Sequence, residues 1–225
     1  MRIVSLTFDD ATADHFEAGR LLSEFGQRGT FYANSNLVGK EGRLDWASVA
    51  ELAAAGHEIG GHTCDHVDLS RVGEAEASAQ IVDDRQALAR RGLEVRSFAY
   101  PYGALSDSAR ALVAAAGYAS ARRAWGLAGD DNGRHAQVES VPPADPYAIR
   151  TVPSMERGTT LDQLCSLVTR NERGGGWLPL VFHGVSGGDG AYDIAGDVFR
   201  RFVEWLSGQR NGVTVKTVGD VVGGK

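Results

Sequence analysis

The sequence predicts an α/β protein in which parallel strands alternate with covering helices. Short apolar runs alternate with helical apolar spacing from one end of the chain to the other. Glycines follow most of the helical segments, where helices commonly end. No linker or internal repeat divides the chain. Because this alternation builds a parallel sheet, the fold is either an open doubly wound sheet or a closed or nearly closed barrel.

Apolar spacing and stop signals locate the elements of the first half of the chain. Asp45 is a suitable N-cap for the second helix, and Gly56 follows the end of that helix. The predicted strands are residues 3–8, 30–32, 57–61, 95–100 and 118–122, and the predicted helices are residues 13–25, 45–55, 73–91 and 106–116.

The second half begins with a segment that loses this pattern. Residues 123–147 are dominated by Gly, Asp, Asn and Pro, which predicts a long surface loop. We expect this loop to shape substrate specificity. Beyond it, the predicted strands are residues 149–152, 177–182 and 213–217, and the predicted helices are residues 161–171 and 194–209.

Composition excludes several classes of protein. The 225 residues are 43% hydrophobic and 23% charged, which is typical of a globular protein with a full core. A formal net charge of -6 argues against nucleic acid as a partner, because phosphate binding needs a basic face. Cys64 and Cys165 are too few for a disulfide framework, so we expect two free thiols in a reducing compartment.

The amino-terminal segment lacks the pattern of a secretion signal. No apolar run reaches the roughly 18 residues that a membrane helix needs. We therefore expect a cytoplasmic protein with no membrane partner.

Polar side chains of the kinds used in catalysis follow four of the predicted strands. They are Asp9 and Asp10 after the first strand, His62 and His66 after the third, Pro101 and Tyr102 after the fourth, and His183 after the strand at 177–182. The carboxyl ends of barrel strands share one face, so these groups can converge there.

The pair Asp9 and Asp10 has two interpretations. Adjacent residues that leave a strand point in different directions, so one carboxylate can bind a metal while the other faces a substrate. The alternative is a turn or N-cap before the first helix, where acidic residues are favoured.

The pentapeptide H-T-C-D-H at residues 62–66 is the sharpest local signal. Two histidines at positions i and i+4 share one face of a helical turn, and imidazole is a good ligand for zinc, cobalt or nickel. Asp10 is the candidate third ligand. Cys64 is set aside because its position faces away from His62 and His66. The alternative is a polar loop with two incidental histidines.

His183 ends an apolar strand, so it suits either a general acid near neutral pH or a hydrogen-bonded core residue. Residues 100–103 predict a tight turn, which can also turn a backbone N–H or an aromatic side chain towards a site. Tyr102, Trp125 and Tyr192 are candidates for stacking on a sugar ring, although aromatic side chains are more often part of a core or rim.

Taken in order, these segments resemble the polysaccharide deacetylase family, the NodB homology domain of carbohydrate esterase family 4. Residues 7–10 (T-F-D-D) resemble its first motif, residues 62–66 its second, residues 98–103 (F-A-Y-P-Y-G) its third and residues 180–183 (L-V-F-H) its fifth. The resemblance extends from residue 3 to about residue 206. It implies an α/β fold of the distorted (β/α)7 barrel type, with a single catalytic domain over residues 1–225.

The resemblance also implies a mononuclear divalent metal, with Zn²⁺ expected first and Co²⁺ or Ni²⁺ as alternatives. Asp10, His62 and His66 would bind the metal. Asp9 would be the general base and His183 the general acid, which protonates the leaving amine.

The same resemblance implies a substrate pocket. The backbone N–H of Tyr102 would help to hold the oxyanion, and Leu180 would line the pocket for the acetyl methyl group. The predicted pocket residues are Leu180, Tyr100, Pro101, Arg122 and Trp125.

Two features of the family are missing. Its third motif usually contains an Arg that pairs with the base carboxylate, and Ala99 stands at that position. We hypothesise that Arg122 or Arg123 supplies the charge. The fourth motif, an Asp–Trp pair that orients the general-acid histidine, is not recognisable, and Asp145 and Arg150 are the candidates for its role.

The predicted function is metal-dependent removal of acetyl groups from an N-acetylated sugar, whether a polymer, an oligosaccharide or a sugar-containing small molecule. Two alternatives use the same metal site, namely hydrolysis of O-acetyl esters and hydrolysis of cyclic amides or imides. An alternative of another class is a catalytically silent sugar-binding domain, which would normally have lost a ligand or the base. The sequence does not indicate an oligomeric state.

Overall fold

The computed structural model describes residues 2–127, 138–170, 175–208 and 212–224. Its strands are β1 (Arg2–Phe8), β2 (Thr30–Ala33), β3 (Glu58–Gly61), β4 (Ser97–Ala99), β5 (Ser120–Gly126), β6 (Ile149–Thr151), β7 (Gly176–Phe182) and β8 (Val213–Val215). Its helices are α1 (His15–Glu24), α2 (Trp46–Ala54), α3 (Glu74–Ala89), α4 (Asp107–Ala115), α5 (Leu161–Arg170), α6 (Gly196–Ser207) and α7 (Val218–Val222).

The strands form one parallel sheet that curves into a nearly closed barrel. The order is β6-β5-β4-β3-β2-β1-β7, and β8 pairs with β1. The two ends of this order approach each other just after β6, where Met155 N–H donates to Val181 O at 2.9 Å and Val152 N–H to Pro179 O at 3.4 Å. The predicted distorted barrel is therefore confirmed, and the open doubly wound sheet is excluded.

Strand β1 contacts three other strands. It pairs along its whole length with β7. On its other edge, Thr7 and Phe8 pair with β2, whereas Arg2 to Val4 pair with β8. A strand has only two edges, so β2 and β8 share one of them. The carboxyl end of β1 thus lies between β2 and β7.

Local signals explain where several helices begin. Asp45 accepts a hydrogen bond from Ser48 N–H at 2.7 Å, and Ser106 accepts one from Ala109 N–H at 3.1 Å. Side-chain oxygens at N-caps satisfy backbone donors that have no partner within the helix. Asp45 is the cap that the sequence predicts for α2.

A glycine in β3 permits close packing beneath the carboxyl end of the barrel. A Cβ atom added at Gly60 would lie 2.5 Å from the Tyr32 ring and 2.9 Å from Ser97 O. Real Cβ atoms do not come this close to other heavy atoms, so a larger residue would displace β3. The position of His62, which follows β3, depends on this packing.

Two features depart from the sequence-based expectation. Strand β5 continues to Gly126 instead of ending at residue 122, because it pairs with β6 across a register shift. Residues 128–137 of the predicted loop, and the helix ends predicted at residues 171 and 209, lie outside the described residues. Helix α7 is short, begins at the N-cap Thr217 and has no counterpart in the sequence-based prediction. None of the helices in the described ranges has both the length and the apolar character needed to cross a bilayer.

Candidate active site

Two successive left-handed residues turn the chain at the end of β1. Asp10 and Ala11 have φ values of 76° and 48°, which are uncommon for residues with a side chain. Asp9 N–H still donates to Phe182 O at 2.9 Å, so the turn begins directly after Asp9. The Asp9 carboxylate contacts Arg122, whereas the Asp10 carboxylate contacts two histidines. The turn therefore gives adjacent carboxylates different partners.

Asp10, His62 and His66 form a candidate metal site. Their ligand atoms all lie within 4.8 Å of one another. Asp10 Oδ1 is 3.5 Å from His62 Nε2 and 3.2 Å from His66 Nε2. This oxygen is buried and makes no hydrogen bond of normal geometry. One carboxylate and two imidazoles are a donor set that zinc and similar divalent ions bind, so these residues fit the predicted cation.

The two histidines reach Asp10 from a loop and not from a helix. Thr63 and His66 have φ values of 66° and 60°, and residues 62–66 contain no helical turn. The expectation that the i, i+4 spacing places both rings on one helical face is therefore wrong, because left-handed turns bring the rings together. Cys64 is not part of the cluster, and burial raises the pKa of its thiol to about 11.

His62 is held by several buried contacts. Its Nδ1 donates to Ala99 O at 2.7 Å, which leaves Nε2 free to act as a ligand. Its backbone N–H donates to Asp84 Oδ2 at 3.0 Å, and its carbonyl accepts from the side chain of Asn34. Asp84 Oδ1 also accepts from Ser35 N–H at 2.8 Å. Sequence analysis missed Asn34 and Asp84, since neither belongs to a recognisable motif.

Arg122 forms a buried ion pair with Asp9. Its Nη2 contacts Asp9 Oδ1, and its guanidinium lies 4.5 Å from the centre of the Tyr32 ring. Burial alone would raise the pKa of Asp9, but the charge of Arg122 and, to a lesser degree, nearby imidazoles hold this pKa below its ordinary value. Arg123, the other candidate for this pairing, instead lies over the ring of Trp125 at 5.2 Å.

His183 follows β7 and lines the same cavity as Asp9. Its Nδ1 is buried and has no hydrogen-bond partner among the described residues. Its ring centre is 5.2 Å from that of Tyr192. Its carbonyl oxygen accepts a hydrogen bond from His15 Nε2 at 2.7 Å. Within the described ranges, a hydrogen bond to the main chain of His183, and none to its Nδ1, thus holds this residue in place.

The residues suggested to orient His183 have other partners. Asp145 pairs with Arg110 at 2.9 Å, and Arg150 pairs with Glu139 at 3.1 Å. Asp145 and Arg150 therefore each form an ion pair with a partner other than His183. The expectation that Asp145 or Arg150 replaces the fourth motif is therefore wrong.

The candidate catalytic groups line one cavity of about 480 Å³ at the carboxyl ends of the strands. Three aromatic side chains stand on its wall and are partly open to solvent, with 60% of Tyr102, 41% of Trp125 and 48% of Tyr192 exposed. The lining residues are Asp9, Asp10, His62, His66, Tyr102, Ala124, Trp125, Pro153, Ser154, Glu156, His183 and Tyr192. Sequence analysis did not foresee the contribution of residues 153–156.

Four of the predicted pocket residues are not on this wall. Leu180 is buried in the hydrophobic core, and Pro101 is buried in the turn after β4. Tyr100 is buried, and its hydroxyl donates to Tyr147 O at 3.0 Å. Arg122 lies behind Asp9 and contacts the cavity only through it.

Residues 184–188 (G-V-S-G-G) also match the spacing G-x-S-x-G of serine hydrolases. That motif requires a strained turn from a strand directly into a helix. Here Ser186 is exposed in a loop and α6 begins only at Gly196. Ser186 instead hydrogen bonds to Asp14. The structure therefore gives no support to a serine nucleophile.

The fold and the site define a parallel barrel protein with a potential metal centre at the carboxyl ends of its strands. Within that class, the chain belongs to the polysaccharide deacetylase family, because the family model "Polysaccharide deacetylase" matches residues 1–121.

Individual relatives agree with this assignment. Chitooligosaccharide deacetylase from Sinorhizobium fredii is 32% identical over 149 residues, which are 62% of this chain and 67% of that protein. Chitin deacetylase from Arthroderma benhamiae is 33% identical over 111 residues, which are 47% of this chain but only 29% of that protein. The family 4 carbohydrate esterase from Streptomyces lividans, solved in complex with acetate, has the same fold, with a TM-score of 0.63 at 19% identity over 95% of this chain and 91% of that chain.

Proposed function

We propose that this protein is a divalent-metal-dependent hydrolase that removes acetyl groups from an N-acetylated sugar, with the whole chain acting as one catalytic domain. One observation carries the proposal. The candidate ligands Asp10, His62 and His66 line the same cavity as Asp9 and His183. A hydrolase of this kind needs a metal site, a base and an acid around one substrate.

Asp10, His62 and His66 would hold the ion, with Zn²⁺ first and Co²⁺ or Ni²⁺ as alternatives. When bound, such an ion supplies Lewis acidity, which polarises a carbonyl group and lowers the pKa of water. The hydrogen bond from His62 Nδ1 to Ala99 O places the proton of the neutral ring on Nδ1, so that Nε2 offers its lone pair at the ligand position.

Asp9 is the proposed general base. Arg122 keeps this carboxylate ionised, so it can accept a proton from water at neutral pH. A carboxylate of low pKa is a weak base, and it needs an acidified water as its proton donor. The low pKa of Asp9 therefore supports the dependence of the proposed reaction on a cation in the site.

His183 is the proposed general acid. An amide nitrogen leaves only after it gains a proton, and His183 lines the same cavity as Asp9. Its buried Nδ1 leaves Nε2 as the nitrogen that can meet the substrate. The backbone N–H of Tyr102 is the proposed donor to the oxyanion, in a turn where Tyr102 has a left-handed φ of 57°.

The exposed aromatic side chains Tyr102, Trp125 and Tyr192 support a carbohydrate as the substrate, since aromatic rings offer flat apolar surfaces to the faces of sugar rings. The names of the relatives, chitooligosaccharide deacetylase and chitin deacetylase, suggest N-acetylglucosamine oligomers as first substrates.

The test combines metal content with acetate release. Wild type and His66→Ala are assayed by mass spectrometry for bound metal, and in parallel for acetate released from N-acetylglucosamine oligomers and from an acetylated sugar ester. We expect one ion per wild-type chain, its loss in His66→Ala, and acetate from the amide substrates. Asp65→Asn is the matched control, because Asp65 lies in the same loop but hydrogen bonds to Gln80 and Asn36.

The other outcomes distinguish the alternatives. Acetate from the ester alone would replace the N-deacetylase with an O-acetyl esterase. Bound metal without any acetate would favour cyclic amides or imides as substrates. Absence of metal after reconstitution would contradict the proposed site and favour a silent sugar-binding domain.

A further inference from the structure

The chain segment that carries His183 is hydrogen bonded at two points to Asp14, which precedes α1, and to His15, which begins it. On one side, His15 Nε2–H donates to His183 O at 2.7 Å. On the other side, Val185 N–H donates to Asp14 Oδ2 at 2.6 Å. Thr12 Oγ1 donates to Asp14 Oδ1 at 2.6 Å and fixes the other oxygen of that carboxylate.

We infer that Asp14 and His15 are positioning residues for His183 and take the role that the missing fourth motif has in the family. The inference rests on the proposed function, in which His183 protonates the leaving amine. Neither residue lines the cavity, so His15 acts through the carbonyl oxygen of His183 and Asp14 acts through the backbone N–H of Val185.

The ring of His183 needs such support. Its Nδ1 has no hydrogen-bond partner among the described residues, so no side chain sets the direction of the imidazole. The ring contact to Tyr192 is a weak restraint, because that side chain is 48% exposed. The direction of the ring therefore depends mainly on the backbone from which it projects.

The surroundings of His15 hold its ring rigidly in place. It is fully buried, and its ring packs against Phe8 and Phe31 with centre distances of 5.4 and 5.8 Å. Burial lowers the pKa of His15, so its imidazole is neutral at pH 7. Because its partner is a carbonyl oxygen, the proton must lie on Nε2. Because the His15 imidazole is neutral, tightly packed and present as one tautomer, its Nε2–H donor is held at one position.

Asp14 and His15 also lie close in sequence to the proposed base and to one candidate metal ligand. Asp14 lies in the short connection after β1 that also carries Asp9 and Asp10, and His15 follows it as the first residue of α1. The hydrogen bonds to residues 183–185 thus tie the segment that carries the proposed acid to the segment that carries the proposed base and one metal ligand. General acid–base catalysis needs both groups at set distances from one substrate.

The test uses two acetyl substrates that differ in their need for an acid. An N-acetylglucosamine oligomer requires protonation of its leaving nitrogen, whereas 4-nitrophenyl acetate releases a phenolate that departs without a proton. His15→Phe keeps the ring volume and removes the donor. We expect its kcat for the oligomer to fall at least tenfold. This loss is part of the ~10²–10⁴-fold that general acid–base catalysis contributes in total. Its kcat for 4-nitrophenyl acetate and its metal content should stay within about twofold of wild type, since the water-activating groups are untouched.

Further variants make the result specific. His15→Gln retains a donor and should recover most of the oligomer activity. Asp14→Asn, which is less disruptive to packing than His15→Phe, should show the same selective loss and serves if His15→Phe does not fold. A parallel loss on both substrates would show a merely structural role and overturn the inference, as would full oligomer activity in His15→Phe and Asp14→Asn. A wild type that releases acetate from neither substrate would overturn the proposed function, and the inference with it.

Discussion

The two ends of the barrel both hold a cavity and a carboxyl group, buried in Asp9 and half-buried in Glu58, but the pKa values of the two groups shift in opposite directions. At the carboxyl end, Asp9 lies in contact with Arg122, and its pKa is held below the ordinary value. At the amino end, Glu58 borders a cavity of about 330 Å³ and has no ion-pair partner among the described residues. Burial raises the pKa of Glu58, although hydrogen bonds from Gly219 N–H and Thr30 Oγ1 oppose this.

The difference indicates that contact with a cation, and not burial alone, decides whether the pKa of these two carboxyl groups lies below or above its ordinary value. At the carboxyl end, the contact with Arg122 favours the ionised form of Asp9, the form that the proposed reaction uses. The amino end uses Glu58 as a hydrogen-bonded bridge between β2, β3 and α7. Four experiments can break or sharpen this comparison.

Asp10→Ala should have the largest effect. It removes the only carboxylate of the candidate metal cluster, so bound metal and acetate release should both fall to background. Glu58→Gln, at the opposite end of the barrel, should retain both and serves as the control. Metal analysis and the acetate assay measure the outcome. If Asp10→Ala still binds the ion as Glu58→Gln does, the prediction that only the carboxyl end of the barrel holds a metal site is contradicted.

Arg122→Met should come next. It leaves the Asp9 carboxylate buried without a partner, which costs about 3–5 kcal/mol of unfolding free energy for a buried pair. Acetate release should also fall, because the base loses the cation that keeps it ionised. Guanidinium unfolding and the oligomer assay measure the two effects. Arg123→Met is the control, since Arg123 contacts Trp125 instead. Full turnover in Arg122→Met would contradict the assigned role of the ion pair.

Asp84→Asn should have an intermediate effect, confined to the metal. Asp84 accepts from the backbone N–H groups of His62 and Ser35, and an amide can accept only one of the two in the same orientation. Loss of such a supporting contact typically lowers metal affinity about 10–100-fold. Chelator competition measures the affinity. Asp83→Asn, an exposed neighbour on α3, should leave it unchanged, and equal affinities in the two variants would contradict the prediction.

Glu58→Gln should have the smallest effect, visible only as a pH dependence. The folded pKa of Glu58 is raised above its unfolded value of 4.5, so the wild type loses stability as pH rises from that value through the folded pKa. A glutamine can accept both hydrogen bonds without ionising. The Tm of the variant relative to wild type should therefore increase between pH 4 and pH 7. A constant difference in Tm across this range would show that Glu58 ionises normally.

The sequence predicts the barrel and the metal cluster because both depend on local patterns. Alternating apolar runs locate the strands, and the carboxyl ends of parallel strands share one face. The spacing of His62 and His66 indicates two members of the candidate cluster for the wrong reason, because left-handed turns and not a helical face bring them to Asp10.

The supporting contacts are invisible in the sequence because they join distant segments through ordinary residue types. Asp84 lies on a charged helix where a solvent-exposed carboxylate is the normal expectation, yet it is buried and its pKa is raised by burial to about 6. His15 lies on α1, and its partner is 168 residues away. The Asp145 and Arg150 hypothesis fails for the same reason, since each residue is paired with a partner that spacing alone does not reveal.

The shared edge of β1 also has a consequence for folding. Residues 2–4 pair with residues 213–215, and Lys216 N–H donates to Val4 O at 3.0 Å. Contacts between such distant segments form slowly, because closing a long loop costs entropy before the contacts repay it. During synthesis, β1 leaves the ribosome long before β7 and β8 exist, so one whole edge of β1 and about half of the other stay unpaired until the barrel is almost complete. A chaperone that shields apolar strand edges would act on this protein mainly during that interval.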